Sequence, residues 1–208
     1  MADELVLRAE LPELHCIMPM ANVPSVCEHG ILSHALTNTM TKGAHVSVAD
    51  QNVQDFRATK RVPGGRTLHE YANLYINARN PMMFKLVARG LRGSLCVLRV
   101  STDVLDLPDV VVSDANAAAK GVYTRFEEAP EGLAIVNRNL TFARYWTHAD
   151  YIEELRHKSA MNAEVLVPER VHPRYIRGAW VADAAAKARF DDLGTPLQAS
   201  INGYLFFM

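Results

Sequence analysis

The sequence predicts an α+β fold, because short strands and short helices follow one another without the regular strand–helix–strand alternation of a doubly wound sheet. Two absences agree with that class. No GxGxxG follows a strand, and no GxxxxGK[ST] occurs, so neither common α/β nucleotide-binding architecture is indicated. No apolar run approaches the ~20 residues that span a bilayer, which predicts no membrane span. The 208 residues suit one domain, 1–208, without an internal repeat or a break in composition. Hydrophobic residues at 49% against 22% charged are ordinary for a chain with a sizeable core.

The elements read as follows. In "NVPSVCEHGILS", Asn22 is placed to cap a short helix, Pro24 suits its first turn, and Gly30 can end it. In "SVADQNVQDFRATKRV", Val46, Val53 and Phe56 fall near helical spacing and predict a second, partly exposed helix. "VPGGRT" is a turn. Leu68, Tyr71, Leu74 and Tyr75 mix periods, but the β-branched and aromatic content around Tyr75-Ile76 favours a strand. Asn80-Pro81 then pairs an N-cap with proline at N1, opening a helix through Ala88 that Gly90 closes. "SLCVLRVS" and "DVVVSD" are apolar runs of buried-strand length. "HADYIEELRHKSA" predicts a helix with Tyr151, Ile152 and Leu155 on one apolar face. "AEVLV", "YIRGAWVA" and the terminal "NGYLFFM" read as strands, and "ADAAAKARFDDLG" as a helix closed by Gly194.

The start, "MADELVLRAELPEL", carries acids where a signal peptide needs a basic and then an apolar stretch. Three cysteines (Cys16, Cys27 and Cys96) form no CxxC pair, so neither a disulfide framework nor a structural zinc site is expected. Both features predict a reducing, cytoplasmic setting and no metal site. Whole-chain charge is only −1, yet Arg57 to Arg99 holds nine bases against the single acid Glu70. That basic middle suggests a phosphate-bearing ligand or nucleic acid, unless the bases scatter over several faces. HExxH and GxSxG are both absent, which removes the familiar metalloprotease and serine-hydrolase readings.

Three clusters remain. His15 stands before the helix start at Asn22, where backbone amides can receive a phosphate; a capped surface helix with a partly buried histidine is the plainer alternative. The stretch "HEYANLYINARNPMM" interleaves His69, Tyr71, Tyr75, Asn77, Arg79 and Asn80, residue types that stack on bases and hold phosphates. Glu164 opens the strand in "NAEVLVPERV", with Asp114 and Asn116 as possible neighbours from another strand end.

The order "GILS", "VQDFR", "LHEYANLYINARNPMMF", "VVVSDANAA", "NAEVLVPERV" and "GYLFF" resembles the DarT family over nearly the whole chain, from about Leu14 onward. The most specific pieces are the run Ile76 to Met83 and the run Ala163 to Val167. The resemblance implies an ADP-ribosyltransferase fold with two small packed sheets and flanking helices. It implies transfer of ADP-ribose from NAD⁺ to a base in single-stranded DNA, thymidine favoured and guanosine possible, by a toxin paired with a macrodomain antitoxin. RNA or protein acceptors, or an inactive nucleic-acid-binding relative, are the alternatives. By resemblance Glu164 is the catalytic glutamate and Arg57 the second catalytic residue, with Arg61 close enough to compete. His15, Ile17, Asn22, Gly30 and Arg57 would hold NAD⁺, and His69, Tyr71, Tyr75, Asn77, Arg79, Asn80 and Met82 would face DNA. The chain departs from the family at one point: members often carry His-x-Thr six residues before the Asn of Asn-x-Pro. Here Cys16 stands six before Asn22, and His15 seven before.

Overall fold

The computed structural model describes residues 4–40, 46, 51–119 and 123–208, with the side chains of residues 38 and 51–53 outside that description, including the expected helix-face residue Val53. In chain order the strands are β1 (Leu14–Pro19), β2 (Ile31–Leu32), β3 (Tyr71–Tyr75), β4 (Leu95–Val100), β5 (Val111–Ser113), β6 (Phe126–Glu128), β7 (Glu164–Pro168), β8 (Arg170–Val171), β9 (Ile176–Val181) and β10 (Ala199–Ile201). The α-helices are α1 (Val23–His29), α2 (His34–Met40), α3 (Gln51–Thr59), α4 (Pro81–Ala88), α5 (Arg138–Thr141), α6 (Tyr151–Ala160) and α7 (Ala184–Asp191).

Eight strands hydrogen-bond in the order β10-β9-β4-β1-β3-β7-β5-β6, and β2 pairs with β8 in a separate ribbon. The long order is two four-stranded halves. β1 meets β4 along its whole length, but meets β3 only at His15↔Tyr75. Past that pair β1 and β3 diverge, so the two expected small sheets are halves joined at a narrow seam, with a cleft opening at the split. The central strands are buried on both faces, which is why β4 reads as an unbroken apolar run with only Arg99 partly exposed. β3 alternates: Ala72 and Leu74 enter the core while Tyr71, Asn73 and Tyr75 share the other face. The mixed period seen in the sequence is this alternation running on from the preceding turn, Leu68–Glu70.

Asn80 caps α4 by accepting from the Met83 amide at 2.9 Å, with Pro81 in the first turn, and Gly90 follows the helix at φ 80°. α1 runs as expected to Gly30, whose φ is 85°. A Cβ there would lie 2.1 Å from the Val171 carbonyl oxygen, so only glycine lets α1 pass into β2 against β8. Asn22, however, makes no cap. A 3-10 turn, Met20–Asn22, leads into α1 and leaves Asn22 itself in helical φ/ψ. Its amide instead bonds the Val46 backbone twice, at 2.8 and 3.0 Å.

Two further expectations fail. On α6, Tyr151, Ile152 and Leu155 face solvent, and the buried residues are His157 and Ser159. His157 anchors the helix by bonding the Leu140 carbonyl at 3.2 Å and His148 at 2.7 Å, so polar contacts choose the inward face. The terminal "GYLFF" is a 3-10 turn, Gly203–Phe206, with Phe206 fully buried. The strand is the shorter β10 before it, parallel to β9.

Candidate active site

Glu164 is the first residue of β7, between β3 and β5, where it lies opposite Tyr75 on one side and Ser113 on the other. Its backbone is fastened by Ser113, whose Oγ accepts from the Glu164 amide at 3.2 Å and donates to the Ala115 carbonyl at 2.8 Å. The side chain is buried and both carboxylate oxygens are engaged. Oε1 accepts from the Ala117 amide at 3.1 Å, and Oε2 from Arg57 Nη1 at 3.3 Å. Arg57 reaches in from α3 and is itself only 9% exposed in its side chain. Desolvating two charges is costly even when they pair. An ion pair kept at the lip of a cavity therefore points to function more than to stability.

The cavity they face is about 440 Å³. β1 supplies Cys16, Ile17 and Met18, β3 supplies Tyr71, Asn73 and Tyr75, and α4 supplies Pro81, Met82 and Lys85. Asn22, His34 and Gln54 stand on further walls, and Asn116 and Asn162 flank Glu164. A mixed apolar and amide-rich lining around a fixed carboxylate suits a cationic or electron-poor aromatic amide and a sugar, with cations at hand for phosphate.

The electrostatics follow from burial. Burial drives the Tyr75 hydroxyl well above the usual phenol range, the neighbouring Glu164 adds to it, and Arg57 opposes it, so Tyr75 stays protonated. Burial likewise pushes the Cys16 thiol up to about 12, which makes it an inert lining group rather than a nucleophile. Lys60, over the rings of Phe56 and Phe126, is lowered mainly by burial and further by Arg57, while Glu164 holds it up. His69 is lowered by burial, then by His34 and Arg57; its ring stacks on His34 at 4.1 Å and its Nε2 meets Gln54 Oε1 at 3.2 Å.

Of the residues singled out in the sequence, Glu164, Arg57, Ile17, Asn22, Tyr71, Tyr75, Met82 and Asn116 line this cavity, while Asp114 pairs with Arg125 at 2.7 Å. His69 stands just behind it on Gln54 and His34. Arg61 turns away to the Gly65 carbonyl, so Arg57 alone of the two meets Glu164. His15 belongs to a different group, pairing at 3.3 Å with Glu13, which also accepts from Arg99 and Trp180. Gly30 packs against β8. Asn77, Arg79 and Asn80 turn toward the protein's own backbone. Asn77 donates to the Thr141 carbonyl at 2.8 Å, Asn80 to the Asn77 carbonyl at 2.9 Å, and Arg79 to the Tyr204 carbonyl. Asn73, Asn162, Gln54, Lys85 and His34 also line the cavity and are not among the site residues expected from the sequence. Asn73 was recoverable, since it stands two residues from both Tyr71 and Tyr75 on a strand.

A larger hollow, about 730 Å³, lies beside β5 and β6 and shares Tyr71. Its rim carries Glu127, Glu128 and Glu131, which repel phosphate, so the chemistry is better served by the smaller cavity. Among the described residues no group of three His, Cys, Asp or Glu side chains is arranged to hold a metal ion, and no helix is long and apolar enough to cross a membrane.

Residues 15–202 match the family model described as ssDNA thymidine ADP-ribosyltransferase, DarT. The chain belongs to the DarT family. A DNA ADP-ribosyl transferase–DNA ADP-ribosyl glycohydrolase fusion protein of Thermosipho africanus (strain H17ap60334) is 33% identical over 174 residues, which are 82% of this chain and 42% of the fusion. The chain thus spans about two fifths of that DarT-containing relative. Thermosipho africanus DarTG in complex with ADP-ribose superposes with a TM-score of 0.81 at 28% identity, covering 95% of this chain and 51% of that one. Thermus sp. 2.9 DarT in complex with ADP-ribosylated ssDNA matches with a TM-score of 0.80 at 19% identity, over 98% of this chain and 100% of that one. The same protein in complex with NAD⁺ gives 0.73 at 20% identity, over 95% and 98%. The fold is that of the DarT ADP-ribosyltransferases.

Proposed function

We propose that residues 1–208 act as one catalytic domain that transfers ADP-ribose from NAD⁺ to thymidine in single-stranded DNA. One observation carries this reading above all: a buried carboxylate, Glu164, held by Arg57 and the Ala117 amide at the wall of a cavity of about 440 Å³. In the transfer, the bond between the ribose and nicotinamide breaks, a bond from that ribose carbon to a thymine nitrogen forms, and the base gives up a proton. Glu164 places fixed negative charge where the ribose becomes electron-poor, and as the carboxylate of the cavity wall it is the group that accepts the proton of the base. Arg57, paired with Glu164, serves as electrostatic support rather than as a base.

The lining supports NAD⁺ as co-substrate. Ile17, Asn22 and Asn162 offer an apolar wall and amides for nicotinamide and ribose, and Arg57 and Lys85 are cations for the diphosphate. His15 and Gly30 act at one remove, by fixing β1 and the α1–β2 turn. Tyr71, Tyr75 and Met82, with His69 behind, form the wall that meets the acceptor base, and Asn77, Arg79 and Asn80 hold the turn that presents Met82. The acceptor must be unpaired, because a duplex hides its base edge.

The Thermosipho africanus relative, whose name joins a transferase to a glycohydrolase, supports a role as the toxin of a pair whose macrodomain antitoxin removes the modification. Three free cysteines, two of them buried, fit a reducing cytoplasm where DNA is at hand. Release of nicotinamide from NAD⁺ tests the reading. It should rise with thymidine-containing single strands and stay at background with strands lacking thymidine. Equal release with every strand, or with RNA alone, would overturn the acceptor assignment.

A further inference from the structure

Tyr71 and Tyr75 lie within the cavity wall, Tyr71 only 4% exposed, so they can meet one acceptor base but not the nucleotides beside it. A strand longer than its acceptor needs other aromatic faces, and the surface next to the cavity provides them. On α4, Phe84 adjoins the cavity residues Pro81, Met82 and Lys85, yet 48% of it is exposed. Its ring meets Trp146 and Phe207 edge to face, at 5.4 and 5.2 Å, and those two rings meet at 6.0 Å. Arg79 lies over Phe207 at 4.0 Å and over Tyr204 at 4.3 Å, and Arg144 lies over Tyr145 at 5.3 Å. Tyr145 and Tyr204 are 67% and 54% exposed. The segments that build this surface, 79–92, 137–147 and 203–208, contain six bases and no acid, although Arg138 already pairs with Glu4 and Glu10.

We propose that this aromatic and cationic surface is the track on which the single strand lies as it enters the cavity. Flanking bases stack on Phe84, Tyr145 and Tyr204, phosphates are drawn to Arg144, and Arg79, bound to the Tyr204 carbonyl, holds that ring in place. Alternating exposed rings and guanidinium groups are what an unpaired polyanion with stacking bases recognises, and α4 makes the track continuous with the site. Edge-to-face packing among Phe84, Trp146 and Phe207 sets the rings rigidly, which lowers the entropy lost on stacking.

The inference rests on the DNA-modifying reading, and the test separates the two. Binding and modification are measured for a thymidine trinucleotide, for a strand of about 12 nucleotides, and for that longer strand with abasic flanks. Wild type is compared with Tyr145→Ala, Tyr204→Ala and the double variant, whose exposed side chains leave the fold intact. Each single variant should weaken the long strand about tenfold, the loss of one stacked base, and leave the trinucleotide unchanged. Abasic flanks should cost wild type more than either single variant does, and should cost the double variant only the one base left on Phe84. Unchanged affinity for the long strand, with the trinucleotide still modified, overturns the track alone. Weakened capture of a macrodomain antitoxin with DNA binding intact would also overturn it and assign the surface to protein. Failure of wild type to modify any strand overturns the DNA reading itself.

Discussion

Removing Arg57 leaves the Glu164 carboxylate buried with one of its two partners gone. The pair is 3.3 Å apart, with side-chain exposures of 9% and 2%, so water cannot readily replace the guanidinium. Breaking a buried pair from one side costs about 3–5 kcal/mol, because the surviving charge is uncompensated. For a domain of this size that is a large share of the ~5–15 kcal/mol total, and it lowers Tm by roughly 10 °C. Arg57→Ala should therefore shift the urea midpoint downward by that amount at unchanged slope. Glu164→Gln keeps an acceptor for the Ala117 amide but strands the buried Arg57 guanidinium, so alone it should also cost about 3–5 kcal/mol. Adding Glu164→Gln to Arg57→Ala should then recover about 2 kcal/mol or more, a coupling that only a direct charge pair produces. Strictly additive losses, or an Arg57→Ala cost below about 1 kcal/mol, would refute the view that these residues form a desolvated pair.

Other outcomes follow from the same structure. Asn80→Ala removes both the cap on Met83 and a buried donor to Asn77, and should cost about 2–3 kcal/mol in urea unfolding; a loss under half of that would mean the cap is dispensable. Gly30→Ala forces a side chain against the Val171 oxygen at positive φ, and it should cost about 3 kcal/mol, read as a fall in Tm. At Glu13, burial pushes the carboxyl up, but hydrogen bonds from His15, Trp180 and Arg99 outweigh it and bring it down to about 2. A lowered folded-state value means stability that is present above the unfolded carboxyl's value and is lost as pH falls through about 2. Glu13→Gln should accordingly be less stable than wild type by about 1–2 kcal/mol at pH 7, with the gap closing between pH 4.5 and 2; a gap that stays constant would discount the carboxylate.

A glutamate opening an apolar strand is ordinary by itself, so Glu164 was legible only through the family resemblance, which named Arg57 as a second catalytic residue; their ion pair joins residues 107 apart and has no local signal. The helix from Pro81 was legible because Asn-Pro is local chemistry: cap and first turn are decided within four residues. The role of "NARN" was harder to see. Dense polar residues look alike whether they meet a ligand or their own backbone, and Asn77, Arg79 and Asn80 do the latter. On α6, Tyr151, Ile152 and Leu155 have the spacing of a core face, yet the buried hydrogen bonds of His157 turn that face outward. The C-terminal "GYLFF" has strand composition, but the three residues of β10 had already taken the place beside β9. The cleft itself comes from β1 and β3 parting after one pair, a long-range event that no local pattern records.

The central claim is tested most directly by the intact mass of a thymidine-containing single strand after incubation with NAD⁺ and either the wild-type protein or Glu164→Ala. The account predicts a gain of one ADP-ribose on that strand, located on the thymine by fragmentation, and no gain with the variant. An unchanged strand with wild type, or an equal gain with Glu164→Ala, would contradict it.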